Sequence, residues 1–456
     1  MTSHAGSPGQ PAALPSPRGA VPGSGQAVPG SRRAVPVLRA LTVPARLRLL
    51  LIVLVAVSAA WGVVAAWTVG QHASAAGGVA STSEPLSVDA QQIYRALSDA
   101  DATAAAGFLS GGLEPITARQ RYAADVARAA SSLAAATGTA GQVPARSRLA
   151  TLAADLPVYT GLVETARADN RLGLPVGAAY LRQASGLMRA TLLPAAREAY
   201  VQANAQLAGD DGRASGWPFV AVAAIVVVGV ALIWAQRWLA RRSHRLFNRG
   251  LVVASVVGLA SAVWLLSALT FARVQVIDAR DHGSAPVEAL AQADIAALQA
   301  RDDESLTLID RGGDDSFQQD FLAVERRLGP GAGTLLTAAS TAASGSPGAG
   351  PAAAAARGAP AWFAAHQQVR RLDDSGNYSG AVQLAIGSAP GGSGTLFNRL
   401  DTALTTAIGQ DQAGFRSTIQ SARSAFTGLE AGMIVLSLVM VAGCAWGLAQ
   451  RIAEYR

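Results

Sequence analysis

The chain has 456 residues, half of them hydrophobic, with 37 basic and 30 acidic side chains and a single cysteine. One cysteine, Cys444, excludes an intrachain disulfide framework and any Cys-based zinc site. The positive excess of +7 is confined to segments that flank apolar runs, so it speaks of membrane orientation and not of nucleic acid.

Residues 1–48 are rich in Pro, Gly and Ser, repeat Ala-Val-Pro three times, and carry six Arg and no acid. Such a tail cannot bury enough apolar surface to order itself, which predicts a disordered basic cytoplasmic tail with extended polyproline character. It serves either to hold the orientation of the first span or as a docking strip for a cytoplasmic partner.

The apolar run that follows predicts transmembrane helix 1 over 49–70. A cleaved signal peptide is the rival reading, because Ala73-Ser74-Ala75 resembles a cleavage site; the run is longer than the usual 7 to 15 residues, which favours retention.

Residues 71–216 are Ala-rich and broken at Gly111-Gly112, Gly138 to Gly141 and Gly173 to Pro175. Between the breaks the apolar spacing is helical, as in Ile93, Leu97, Ala104 and Phe108. Four such runs predict an extracytoplasmic four-helix bundle whose first and last helices continue into the spans, with kinks at Pro157 and Pro194.

Apolar runs at 217–235 and 251–271 predict transmembrane helices 2 and 3, each long enough to cross a hydrocarbon core of about 30 Å. The loop between them, 236–250, carries Arg237, Arg241, Arg242, Arg245 and Arg249 and no acid. A loop so short and basic is expected in the cytoplasm, which places both termini there too. The five arginines are the candidate cytoplasmic contact.

Residues 272–430 predict a second extracytoplasmic bundle, 431–449 transmembrane helix 4, and 450–456 a cytoplasmic C-terminus. Arg and acids balance in the first outer segment, while the second has five more acids than Arg. Ala96-Leu97, Asp101, Phe108 and Gly111-Gly112 recur as Ala297-Leu298, Asp302, Ile309 and Gly312-Gly313, and Ser58-Ala-Ala-Trp61 recurs as Ser261-Ala-Val-Trp264. Matches in order at a nearly constant offset indicate internal duplication into two span–bundle–span halves. The second half adds Gly345 to Pro360, whose Gly, Ala and Pro content predicts a flexible loop.

Asp101 and Asp302 fall on the apolar stripes of their helices, where a carboxylate needs a partner, most simply an Arg from a neighbouring helix. They are candidate polar switches, or paired acids that fix bundle register. The acids around Asp302, Asp303, Glu304, Asp310, Asp314 and Asp315 lack the ordered spacing of a calcium loop and predict a solvated turn. Gly443 and Gly447 form GxxxG, and Ala254, Gly258 and Ala262 repeat a small residue every four positions. These predict close span packing, either among the four spans or in a homo-oligomer.

No metalloprotease, P-loop or nucleophile-elbow motif is present, the five histidines share no ligand spacing, and the spans hold no charged side chain. The expectation is a non-enzyme without cofactor or metal.

The two span–bundle–span halves, the hairpin ending WLARRSHRLFNRG and the closing GLAQRIAEYR resemble the GlnX-type membrane proteins of actinobacteria. The resemblance implies a relay between an extracytoplasmic solute-binding lipoprotein of the GlnH type and the cytoplasmic Ser/Thr kinase PknG, with no catalytic residues. The outer bundles also look like the sensor domains of chemoreceptors.

The chain is thus expected to be an all-α membrane protein with four spans and two extracytoplasmic four-helix bundles. It would act as a signalling subunit relaying amino-acid availability. The alternatives are a direct small-molecule receptor through its outer bundles and a ligand-free envelope scaffold.

Overall fold

The computed structural model describes residues 43–139, 145–216, 218–243, 248–310 and 315–453, and all regular structure among them is helical. The basic tail up to Thr42, Arg245, Asp314 and the last three residues lie outside the described residues.

Helix α1 (Val43–Gly78) passes through a π turn (Val79–Ser83) directly into α2 (Glu84–Leu109). Next come α3 (Ile116–Thr139), α4 (Ala145–Arg171) and α5 (Val176–Leu187), which a second π turn (Met188–Leu192) joins to α6 (Leu193–Ala214). Helix α7 (Phe219–Ser243) and α8 (Arg249–Ala279) follow, and α8 enters α9 (Ala285–Ile309) through a third π turn (Arg280–Ser284). The remainder is α10 (Ser316–Leu328), α11 (Leu335–Ala342), α12 (Ala349–Asp374), α13 (Tyr378–Ile386), α14 (Ser393–Ser424) and α15 (Leu429–Ala453).

Each π turn is followed at the second position by proline: Pro85, Pro194 and Pro286. A proline nitrogen cannot donate to the carbonyl four residues back, and its ring crowds that carbonyl, so a locally wider turn lets the helix run on. The first and third π turns lie 201 positions apart, each between an apolar helix and the outer helix it feeds.

Four helical segments, Ala45–Leu109, Phe219–Arg241, Arg249–Ile309 and Ser393–Gln450, the last interrupted by a turn between α14 and α15, are long and apolar enough to cross a membrane. Their apolar parts pack with α1 between α7 and α15, and α8 between α15 and α7, around Leu54, Trp61, Leu232, Leu265, Met433 and Met440. The opposite faces, including Val63, Val230, Leu259 and Leu438, are exposed, as lipid-facing surface requires.

Only the first helix of each outer group is continuous with a span. The last ones are not: α6 ends before Gly216 and Pro218, and α14 ends at a turn where Gly428 takes a positive φ of 76°. That corrects the expectation that both ends of each bundle continue into the membrane.

The first outer group, α2, α3, α4 and the joined α5–α6, has the four expected helices. The turn after α2 falls at Gly111-Gly112, both at positive φ, and Pro157 sits inside α4 without ending it. The second group is more divided, with α9 to α14. Here the expected loop over Gly345 to Pro360 is a turn only as far as Gly348: α12 starts at Ala349 and runs through Pro360. Ala352, Ala355, Ala359 and Trp362 are buried along one face, so packing outweighs the poor helix propensity of Gly and Pro.

The two groups touch along α2 and α9, and one apolar cluster contains Leu97, Tyr159 and Leu181 together with Ile295, Leu306 and Val369. A second cluster around Phe321, Trp362, Phe397 and Leu404 belongs to α9 to α14 alone.

Candidate functional site

The seam between α2 and α9 brings the two stripe acids together. Asp101 is buried and accepts hydrogen bonds at Oδ1 from the Tyr159 hydroxyl (3.1 Å) and the Ser185 hydroxyl (3.0 Å). Its expected arginine partner belongs instead to Asp302. Arg189, in the π turn between α5 and α6, donates from Nε to Asp302 Oδ2 (3.2 Å) and from Nη2 to Asp303 Oδ1 (2.6 Å). A side chain of the first group thus ends among acids of the second.

One guanidinium among Asp101, Asp302 and Asp303 leaves a surplus of negative charge if all three ionise. Burial raises the Asp101 carboxyl well above the usual carboxylate range; neighbouring Asp302 adds to the rise and Arg189 opposes it. Burial likewise pushes Asp303 up to about 7, against the pull of Arg189. Asp101 Oδ2 and Asp302 Oδ1 are buried without a hydrogen-bond partner. A buried acceptor left bare costs about 1–3 kcal/mol, so the seam is built to take up a proton or another donor.

A second charged junction lies further along α2. Arg95 donates from Nε to Asp294 of α9 (2.8 Å) and from Nη2 to Asp401 of α14 (2.6 Å), while Arg121 of α3 reaches Asp99 (3.0 Å) and Asp401 (3.6 Å). Burial raises Asp294 to about 7, with Arg95 opposing. Arg182 pairs with Asp310 across the same seam, and Arg416 of α14 donates to Glu84 of α2 (3.1 Å).

These contacts correct the expectation of a solvated acidic turn for Asp302, Asp303 and Glu304, whereas Asp315 is exposed as expected. Asp302, Asp303 and Glu304 are buried in α9, and the surplus acids of the second outer segment receive arginines of the first. Among the described residues no cluster of His, Cys, Asp and Glu has the arrangement of a metal site.

Glu304, in the sequence only one member of the acidic cluster, anchors the second group. Its carboxylate accepts from Ser393 (2.6 and 2.8 Å), meets Nδ1 of buried His366 (3.1 Å) and pairs with Arg301. Burial pushes Glu304 up, but Arg301, His366 and Ser393 together hold it below its ordinary value. Ser393 also accepts from the Trp362 indole (3.1 Å), and Phe321 stacks on His366 at 3.5 Å. The serine hydroxyl bonds to the acid and not to the histidine, which makes this a structural knot without an activated nucleophile.

In the spans, Gly443 and Gly447 meet the start of α8. A Cβ at Gly447 would lie 2.6 Å from Asn248 Oδ1 and 3.0 Å from Gly250 Cα; one at Gly443 would lie 3.0 Å from the Gly250 carbonyl and 3.5 Å from Ala254 Cβ. Ala254 is fully buried and Ala262 nearly so, and Gly258 approaches Met440. The two small-residue motifs therefore serve contact within the chain. Asn248 caps α8 at Gly250 (3.1 Å) and donates to the Gly447 carbonyl (2.7 Å), and Trp61 donates to Ser261 (3.1 Å). Arg237 and Arg241 in α7 and Arg249 in α8 are exposed, and Arg242 also falls in α7. They do not join the seam.

A cavity of about 700 Å³ opens onto the seam, lined by Asp101, Asp302, Gln202, Arg197 and Arg327 among others. Residues 75–212, which hold α2 to α6 and thus Asp101 and Arg189, match the family model described as Actinobacterial sensor domain. No curated protein and no solved structure matches the chain. The match likens residues 75–212 to a sensor domain and points to a sensing or signalling role.

Proposed function

We propose that this sensor-domain chain is a non-enzymatic transmembrane signalling subunit of the cell membrane, with both termini and the 236–250 arginines in the cytoplasm and both outer helix groups outside. A solute-binding lipoprotein docks outside, a Ser/Thr kinase is contacted inside, and the signal is amino-acid availability. The observation that carries this is continuity: α1–α2 and α8–α9 are unbroken helices through the π turns, and α2 lies against α9. A shift at that seam is therefore also a shift between two spans. Such a relay needs two packings that a partner binds with different affinity, and acids that change protonation or pairing at the seam supply a bistable element. The π turns at equal offset support the duplicated plan.

Affinity purification of the full chain from detergent tests the reading. Co-recovery of a solute-binding lipoprotein and a Ser/Thr kinase, with the kinase lost on replacing Arg237, Arg241 and Arg249, is expected; recovery of neither partner would overturn it.

A second reading, direct reception of a small molecule by the outer helices, is favoured by the seam cavity. Nothing in the packing favours a ligand-free scaffold over these two.

A further inference from the structure

We propose that the cavity between α2, α6, α9 and α10 binds a small zwitterion, a free amino acid, with its ammonium against Asp101, Asp302 and Gln202 and its carboxylate at Arg197 and Arg327. The inference deepens the receptor reading and rests on it.

Three residues that line this cavity each hold a buried acceptor without a hydrogen-bond partner: Asp101 Oδ2, Asp302 Oδ1 and Gln202 Oε1. Asp101 is 2% exposed and Asp302 5%, so bulk water does not serve them. The three lack donors, and a primary ammonium offers three N–H groups on one atom. A hard cation is the poorer occupant, because among the described residues no carboxylate cluster has a metal-site arrangement.

The other pole of the ligand follows from two arginines. Arg197 of α6 and Arg327 of α10 line the same cavity, are exposed, and form no ion pair among the described residues. Both act electrostatically on the Tyr94 phenol, which also lines the cavity. Two free guanidinium forks beside a pocket are suited to a carboxylate. They also repel a second positive charge, which separates a zwitterion from a polyamine. The volume, about 700 Å³, falls in the range of small-molecule sites and leaves room for a side chain.

A ligand held this way touches α2 and α9 at once, through Asp101 and Asp302. Binding would favour one packing of the seam, and both helices continue into spans.

The test uses the full chain in lipid nanodiscs, titrated by calorimetry with each proteinogenic amino acid in turn, then with the N-acetyl and carboxamide forms of the best binder and with spermidine. At least one free amino acid is expected to bind. Masking either charged end should weaken it by about tenfold or more, the scale of a lost charged hydrogen bond. Asp101→Asn should weaken binding similarly. The double variant Arg197→Gln/Arg327→Gln removes two exposed side chains, so it should fold normally and still lose about tenfold in affinity. Absence of binding by every amino acid, equal binding of a masked form, or spermidine binding the unaltered chain as tightly as the best amino acid would each overturn the proposal. Absence of binding would leave partner capture from detergent untouched, so this inference and the relay fail separately.

Discussion

Replacing Arg189 with methionine removes the cation that the structure pairs with Asp302 and Asp303 while keeping most of the side-chain volume. The two acids are 6% and 4% exposed at their side chains, and Arg189 itself 28%. Removing one partner of a buried pair costs roughly 3–5 kcal/mol, and the partly exposed guanidinium puts this case near the low end, about 3 kcal/mol. At roughly 2–4 °C per kcal/mol for units of this size, the melting temperature of the purified protein should fall by about 6–12 °C near pH 8. Asp303 titrates at about 7. At about pH 5.5 it is protonated in the variant, the bare charge disappears, and the deficit should shrink by half or so. Adding Asp302→Asn and Asp303→Asn should restore most of the loss at about pH 8, because two neutral amides need no counter-charge. Differential scanning fluorimetry at both pH values reads all of this. A loss below about 2 °C, or one equal at both pH values, would refute the view that Arg189 neutralises acids across the seam.

Buried acids at this seam and elsewhere also give wild-type stability a direction with pH. Asp294 and Asp303 are raised to about 7, and Asp125 and Asp211 to about 6. The folded chain therefore keeps protons that the unfolded chain has released, and stability falls as pH rises from about 5 to 8. Glu304, held low, acts the other way but only below its ordinary value of 4.5, outside that window. Melting temperatures rising steadily toward pH 8 would contradict the assignment. Gly447→Leu should separate α15 from α8 and cost about 1–3 kcal/mol, whereas Gly229→Ala, with nothing within 4 Å of its added Cβ, should be nearly neutral; equal melting temperatures for the two would refute the contact. Glu304→Ala leaves Arg301 buried and unpaired and should cost about 3–5 kcal/mol, confined to α9 to α14; hydrogen exchange showing protection lost equally in α2 to α6 would count against a local knot.

The spans and the stripe acids were legible in the chain because both are local patterns. An apolar run of span length needs no partner to be recognised, and Asp101 and Asp302 betray themselves by helical spacing to Leu97 and Leu298. What could not be read was pairing across distance. Arg189 lies far along the chain from Asp302, in a segment whose spacing marks nothing, and Glu304, His366 and Ser393 are ordinary residues until folding joins them. The misjudged loop at Gly345 to Pro360 shows the same limit. Small residues that weaken an isolated helix let α12 pack closely, and its buried positions 352, 355, 359 and 362 follow helical spacing beneath the Gly/Pro composition. In the acidic cluster, Asp302, Asp303 and Asp310 look solvated in the sequence because their counter-charges, Arg189 and Arg182, lie in the other half.

The account turns on the outer helices lying on the far side of the membrane from the arginine hairpin. Cysteines placed singly at exposed Arg326 in α10 and exposed Arg241 in α7, in a Cys444→Ser background, can be labelled in intact cells with a membrane-impermeant maleimide. Labelling of position 326 without permeabilisation, and of position 241 only after it, is the predicted result; the reverse pattern, or labelling of both in intact cells, would contradict it.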